Sequence, residues 1–142
     1  MDTKATYRII GGPDLRADAV TERLGVSPSS SYETGHLGRS GRPSTDSGWF
    51  LESCEHIEEG VELEVQIDRL LTSLEPVGSE LWRLVDDGYW VNWWCFVGSH
   101  GLEHAVELNR DLLARLLLLP GDLWLDLCEP LSPYRMPGTA TN

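Results

Sequence analysis

The residues best suited to chemistry lie between Ser27 and Gly48, where Tyr32, Glu33, His36, Arg39 and Arg42 precede Trp49. Two guanidinium groups and an imidazole can receive a carboxylate or phosphate through charge-assisted hydrogen bonds, and Tyr32 and Trp49 can wall such a site with apolar surface. Tyr32, His36, Arg39, Arg42 and Trp49 therefore form a candidate ligand site, with a small anionic molecule as its occupant. The competing reading is a mobile surface loop whose charges serve solubility.

A second constellation is acidic. Glu52, Glu55, Glu58, Glu59, Glu62, Glu64 and Asp68 follow one another closely. Within it Glu55, Glu58, Glu59 and Glu62 are candidate contacts for a basic protein, as in inhibitors of nucleases or ribosome-directed toxins. On a helix these four would share the side opposite a leucine stripe, so a solvated helix face is the simpler reading. His100 and His104 have the i, i+4 spacing that can hold a metal ion, but no motif ties a third ligand to them, and no metal site is assigned.

Nothing else carries a catalytic signature. The chain contains no G-x-S-x-G, no phosphate-binding G-x-x-x-x-G-K and no H-E-x-x-H, and Gly11-Gly12-Pro13 lacks dinucleotide spacing. No cofactor is expected. Cys54, Cys95 and Cys128 are odd in number and widely spaced, which suits reduced thiols rather than a disulfide or metal framework.

Charge narrows the partners. Of 142 residues, 23 are acidic and 11 basic, giving a net charge of −12 that repels phosphate backbones. Nucleic acid is not expected as a partner, and the simplest role of the excess acid is solubility. Apolar runs such as Leu116 to Leu119 are far too short to cross a bilayer, so a cytoplasmic protein without a membrane partner is expected.

These residues must be positioned by secondary structure, whose periodicity is legible. Ala5 to Ile10 predicts a strand stopped by Gly11-Gly12-Pro13, and Asp14 is placed to cap a helix carrying Leu15, Ala19, Val20 and Leu24. Ser47 to Cys54 predicts a second strand. Leu63, Ile67, Leu70, Leu71 and Leu74 form the stripe of an amphipathic helix ended by Pro76, with a further short helix before Asp86-Asp87-Gly88. Tyr89 to Val97 suits a central strand covered on both faces. One strand cannot hide all of its rings, so one or two of Trp90, Trp94 and Trp124 are candidates to line a pocket or interface.

Beyond that strand, Leu102, Ala105, Val106, Leu112, Leu113, Leu116 and Leu117 predict a long helix, and Leu123 to Cys128 a last, half-covered strand. The expected fold is a single α+β domain over residues 1–129, in the order β-α-β-α-β-α-β, with a disordered tail over residues 130–142. This order suggests a ferredoxin-like split β-α-β sheet of about four strands, with an extra helix linking its halves.

Several short elements occur together: Leu24-Gly25-Val26-Ser27-Pro28 after the first helix, Tyr32-x-x-Gly35 in the loop, Ser47-Gly48-Trp49-Phe50-Leu51 opening a strand, and Leu123-Trp124-Leu125-Asp126 near the end. Together they resemble the bacterial domain-of-unknown-function family 4279 from about Tyr7 to Leu127. The resemblance implies a fold and no activity. The functional expectation is a cytosolic binding module, of the immunity or antitoxin kind, docking a basic protein through its acidic face. The alternative is a small enzyme or ligand-binding protein of a biosynthetic pathway, with its pocket under the loop of residues 27–48.

Overall fold

The computed structural model describes residues 1–99 and 105–128. Its elements in chain order are β1 (Asp2–Gly11), α1 (Ala17–Leu24), β2 (Ser30–Tyr32), β3 (Ser47–Glu52), β4 (Glu58–Glu59), α2 (Leu63–Leu74), a 3₁₀ turn (Glu75–Val77), α3 (Gly78–Asp86), β5 (Trp90–Gly98), α4 (Arg110–Leu117) and β6 (Asp122–Cys128). The proposed tail over residues 130–142, and both His100 and His104, lie outside the described residues.

The sheet runs β2-β3-β1-β5-β6, and β4 adds to β1 beyond the end of β3. All neighbours are antiparallel except β5 and β6. This overturns the four-stranded ferredoxin-like order: the sheet has six strands, and β1 and β3 are bonded directly to each other instead of being split by another strand. The pattern misled for a physical reason. Two of the strands, β2 and β4, are short and made of Ser-Ser-Tyr and Glu-Glu, so backbone pairing rather than apolar alternation defines them.

Alternation along β1 separates the two faces of the sheet. Thr3, Ala5, Tyr7, Ile9 and Gly11 are buried while the residues between them are only partly covered. Ala5, Tyr7, Ile9, Trp49, Val91, Trp93 and Cys95 share one cluster with the buried leucines of all four helices, so the helices lie on one face. Tyr7 stands edge-on to Trp93 at 4.7 Å and donates from its hydroxyl to the Pro120 carbonyl at 2.8 Å. Burial drives the Tyr7 phenol upward and the Cys95 thiol to about 12, so both remain neutral core groups.

Two helices begin elsewhere than periodicity suggests. Asp14 does not cap α1; the carboxylate of Glu33 does, accepting from the backbone N–H groups of Ala17 at 2.7 Å and Asp18 at 2.9 Å. Because Glu33 lies in the loop between β2 and β3, this bond also anchors that loop to the helix. The helix expected from Leu102 starts at Arg110, where the Asn109 side chain accepts from the Leu112 N–H and stops the helix from beginning earlier.

Candidate functional site

The side of the sheet away from the helices is paved with aromatic rings. Strand register places Phe50, Arg8 and Asn92 in one row across it, with Ile10 and Trp90 on one flank and Thr6, Trp94 and Trp124 on the other. Among the large apolar residues, Trp90 and Trp124 remain 46% and 44% exposed, which sets them apart from the core tryptophans Trp49 and Trp93 at 0% and 1%. They meet edge-on at 5.9 Å, and Trp124 also tilts against Trp94 at 5.7 Å.

Arg8 sits among these rings. Its guanidinium carbon is 4.6 Å from the Trp94 ring centre, 5.9 Å from Trp90 and 6.0 Å from Trp124, within the range in which ring quadrupoles attract a cation. Its Nε donates to Asn92 Oδ1 at 2.9 Å. Among the described residues Arg8 forms no ion pair, in contrast to Arg16, Arg23, Arg69, Arg83 and Arg115. Partial burial pulls the Arg8 guanidinium below its ordinary value, with the neighbouring Tyr32 acting in the opposite sense. Asn92 is 0% exposed, and among the described residues its Nδ2 has no hydrogen-bond partner.

Beyond Arg8, the paving continues to the loop. Tyr32 and Phe50 stack at 5.9 Å, and both rings lie over Gly48, where a methyl group would come within 2.5 Å of Tyr32 and 2.8 Å of Phe50. Glycine at this position lets the rings lie flat on the sheet. Tyr32 donates from its hydroxyl to Asp46 at 3.0 Å, and burial followed by that bond raises its phenol above the usual range. His36 lies 6.3 Å from the Tyr32 ring.

The loop is built, not structureless. Leu37 and Pro43 form an isolated bridge, and backbone bonds link Gly35 to Ser44 and Ser44 to His36, each at 2.9 Å. A depression of about 420 Å³ opens on it, lined by Tyr32, His36, Arg42 and Asp46 among others. Of the five sequence candidates, Tyr32, His36 and Arg42 come together there, whereas Arg39 is not among the lining residues. Trp49 is no wall of this site: it is fully buried on the helix face and donates to Thr21 Oγ1 at 3.1 Å.

The acidic candidates do not form a helix face either. Glu58 and Glu59 form β4, Glu55 precedes it, and Glu62 is the extended residue before α2. Glu58 is engaged by Arg69 and accepts from Gln66 Nε2 at 3.1 Å, which together hold its carboxyl below the usual range. Among the described residues no cluster of three or more His, Cys, Asp and Glu side chains suits a metal ion, and no helix is long and apolar enough to cross a membrane.

The residues of this face that periodicity missed are Arg8, Phe50 and Asn92. Their signal was available in the alternation of β1, where Tyr7 and Ile9 belong to the core and Arg8 therefore to the other face.

The fold and site thus define an α+β domain with helices on one side of a mixed sheet and an aromatic, arginine-bearing surface on the other. The chain belongs to the family described as Domain of unknown function (DUF4279), whose model matches residues 1–128. No curated protein and no solved structure matches it.

Proposed function

We propose that the protein is a non-catalytic binding module whose recognition surface is the open face of the sheet. The observation that carries this reading is the half-exposure of Trp90 and Trp124 beside Trp94 on a face that the helices leave uncovered. Burying an aromatic side chain of this size is worth roughly 1.5–3 kcal/mol, and contiguous exposed rings characteristically mark contact surfaces. A ligand lying flat on the rings recovers the part of that energy that their half-burial leaves. The depression at Tyr32, His36 and Arg42 adjoins the same face through the Tyr32 and Phe50 stack, and extends the surface toward the loop.

Docking of a basic protein on Glu55, Glu58, Glu59 and Glu62 has less support, because Arg69 already neutralises Glu58 and the four lie on a strand and loops rather than one face of a helix. The two surfaces are separable by experiment. The wild-type protein, a Trp94→Ala/Trp124→Ala variant and a Glu55→Gln/Glu59→Gln/Glu62→Gln variant are each incubated with small-molecule and protein extracts of the producing organism, and the retained species are identified by mass spectrometry. Loss of a retained species only in the tryptophan variant supports the open face; loss only in the glutamine variant rejects it.

A further inference from the structure

We infer that the ligand of the open face carries a carboxylate or phosphate beside a flat apolar group, and that the terminal nitrogens of Arg8 receive the anion. This rests on the open face being the recognition surface. Arg8 is fixed at two points, by the bond from its Nε to Asn92 Oδ1 at 2.9 Å and by its position over the Trp94 ring, 4.6 Å from the ring centre. Those contacts use one edge and one face of the planar guanidinium. The edge formed by the two terminal nitrogens is left without an acceptor among the described residues, and it is the edge whose paired N–H groups match an oxyacid in a bidentate bond.

Four further observations point the same way. Asn92 is fully buried, yet among the described residues its Nδ2 has no partner, so the row through Arg8 holds a second donor without an acceptor. Asp122 is the register partner of Asn92 but makes no ion pair with Arg8, and the carboxylate of Glu52 is taken up by Lys4 at 3.3 Å. The rings of Trp90, Trp94 and Trp124 on one side, and Phe50 and Tyr32 on the other, provide apolar surface on both sides of the cation. Charge complementarity is local: the chain carries −12, but Arg8 is partly buried, and an anion in contact with it interacts at short range while the remote carboxylates are screened over about 8 Å at physiological salt.

The test uses four probes of one shape: 2-naphthoate, 2-naphthyl phosphate, neutral 2-naphthalenemethanol and cationic 2-naphthylmethylammonium. Each is titrated into protein labelled with nitrogen-15 at its tryptophans, and the indole signals report both affinity and location. The expected result is that both anions shift Trp90, Trp94 and Trp124 and bind at least roughly tenfold more tightly than the neutral alcohol. In Arg8→Gln that preference should vanish while the alcohol still binds, which also certifies that the face is folded. Arg8→Lys should retain only part of the preference, because an ammonium lacks the planar fork. The ratio of naphthoate to naphthyl phosphate affinity then identifies the oxyacid. Equal affinity of the alcohol and the anions overturns the anion while leaving the face intact, and tightest binding of the ammonium overturns it in favour of a cation cage. If no probe moves the three indoles, the open face itself fails as the recognition surface.

Discussion

The guanidinium carbon of Arg8 lies 4.6 Å from the centre of the Trp94 ring, while its Nε is bonded to Asn92. Both partners come from β5, the strand beside β1, so the cation is held by the sheet itself and not by a loop. A side chain fixed in this way has already lost much of its rotamer freedom, and a ligand that meets it avoids that part of the ordering cost.

Trp49 separates core from site. It is fully buried and bonded to Thr21, so Trp49→Ala should destabilise the protein by about 3–5 kcal/mol in urea unfolding. Trp49→Phe should cost less and leave 2-naphthoate affinity unchanged. A tenfold loss of affinity in a folded Trp49→Phe would restore Trp49 to the ligand site.

Two glycines should respond differently to alanine. At Gly11 the added methyl meets Ser47 Oγ at 2.7 Å and the Leu15 carbonyl at 3.0 Å, one of them backbone, so Gly11→Ala should cost roughly 1–3 kcal/mol. At Gly48 the obstacles are the Tyr32 and Phe50 rings, which can swing into solvent. Gly48→Ala should therefore cost less than Gly11→Ala, yet alter the near-ultraviolet circular dichroism of the open face. A larger loss at Gly48 would contradict the placement of those rings.

Arg115 ties α4 to α2 and its following turn through Asp68 and Glu75, each at 2.6 Å. These bonds raise the Arg115 guanidinium and hold the Glu75 carboxyl below its ordinary 4.5. A depressed carboxyl contributes stability above its unfolded value and loses it as the pH falls through the folded one. Because the groups are partly exposed, Arg115→Met should cost only about 1 kcal/mol or less at neutral pH. The difference from wild type should shrink below pH 4.5. A difference that persists undiminished at more acidic pH would show that lost packing, not charge, is responsible.

Regular elements with strong periodicity were legible in the chain. The leucine stripe from Leu63 to Leu74 coincides with α2, and the aromatic run ending at Val97 lies in β5. The composition of that run suggests cover on both faces, but its alternate residues Trp90, Trp94 and Phe96 face a side on which the described residues place no helix, because aromatic residues pave an open sheet as readily as they fill a core. β2 and β4 were not legible, since pairing along an edge requires backbone geometry that Ser-Ser-Tyr and Glu-Glu do not encode in their hydropathy. Tyr32, His36 and Arg42 of the loop line one depression, while Arg8 is hidden inside a strand where a single cation resembles an ordinary solvated position.

On this reading the open sheet face attracts anions although the whole chain is strongly acidic. Collisional quenching of tryptophan fluorescence by iodide and by caesium tests it most directly in a Trp82→Phe background, because Trp82 is 44% exposed away from the face and would otherwise contribute. Normalised to the quenching of free N-acetyltryptophanamide by each ion, iodide should quench the accessible indoles of Trp90, Trp94 and Trp124 more than caesium does, and Arg8→Gln should reverse that order. Stronger normalised quenching by caesium, unchanged by Arg8→Gln, would show that the face does not attract anions.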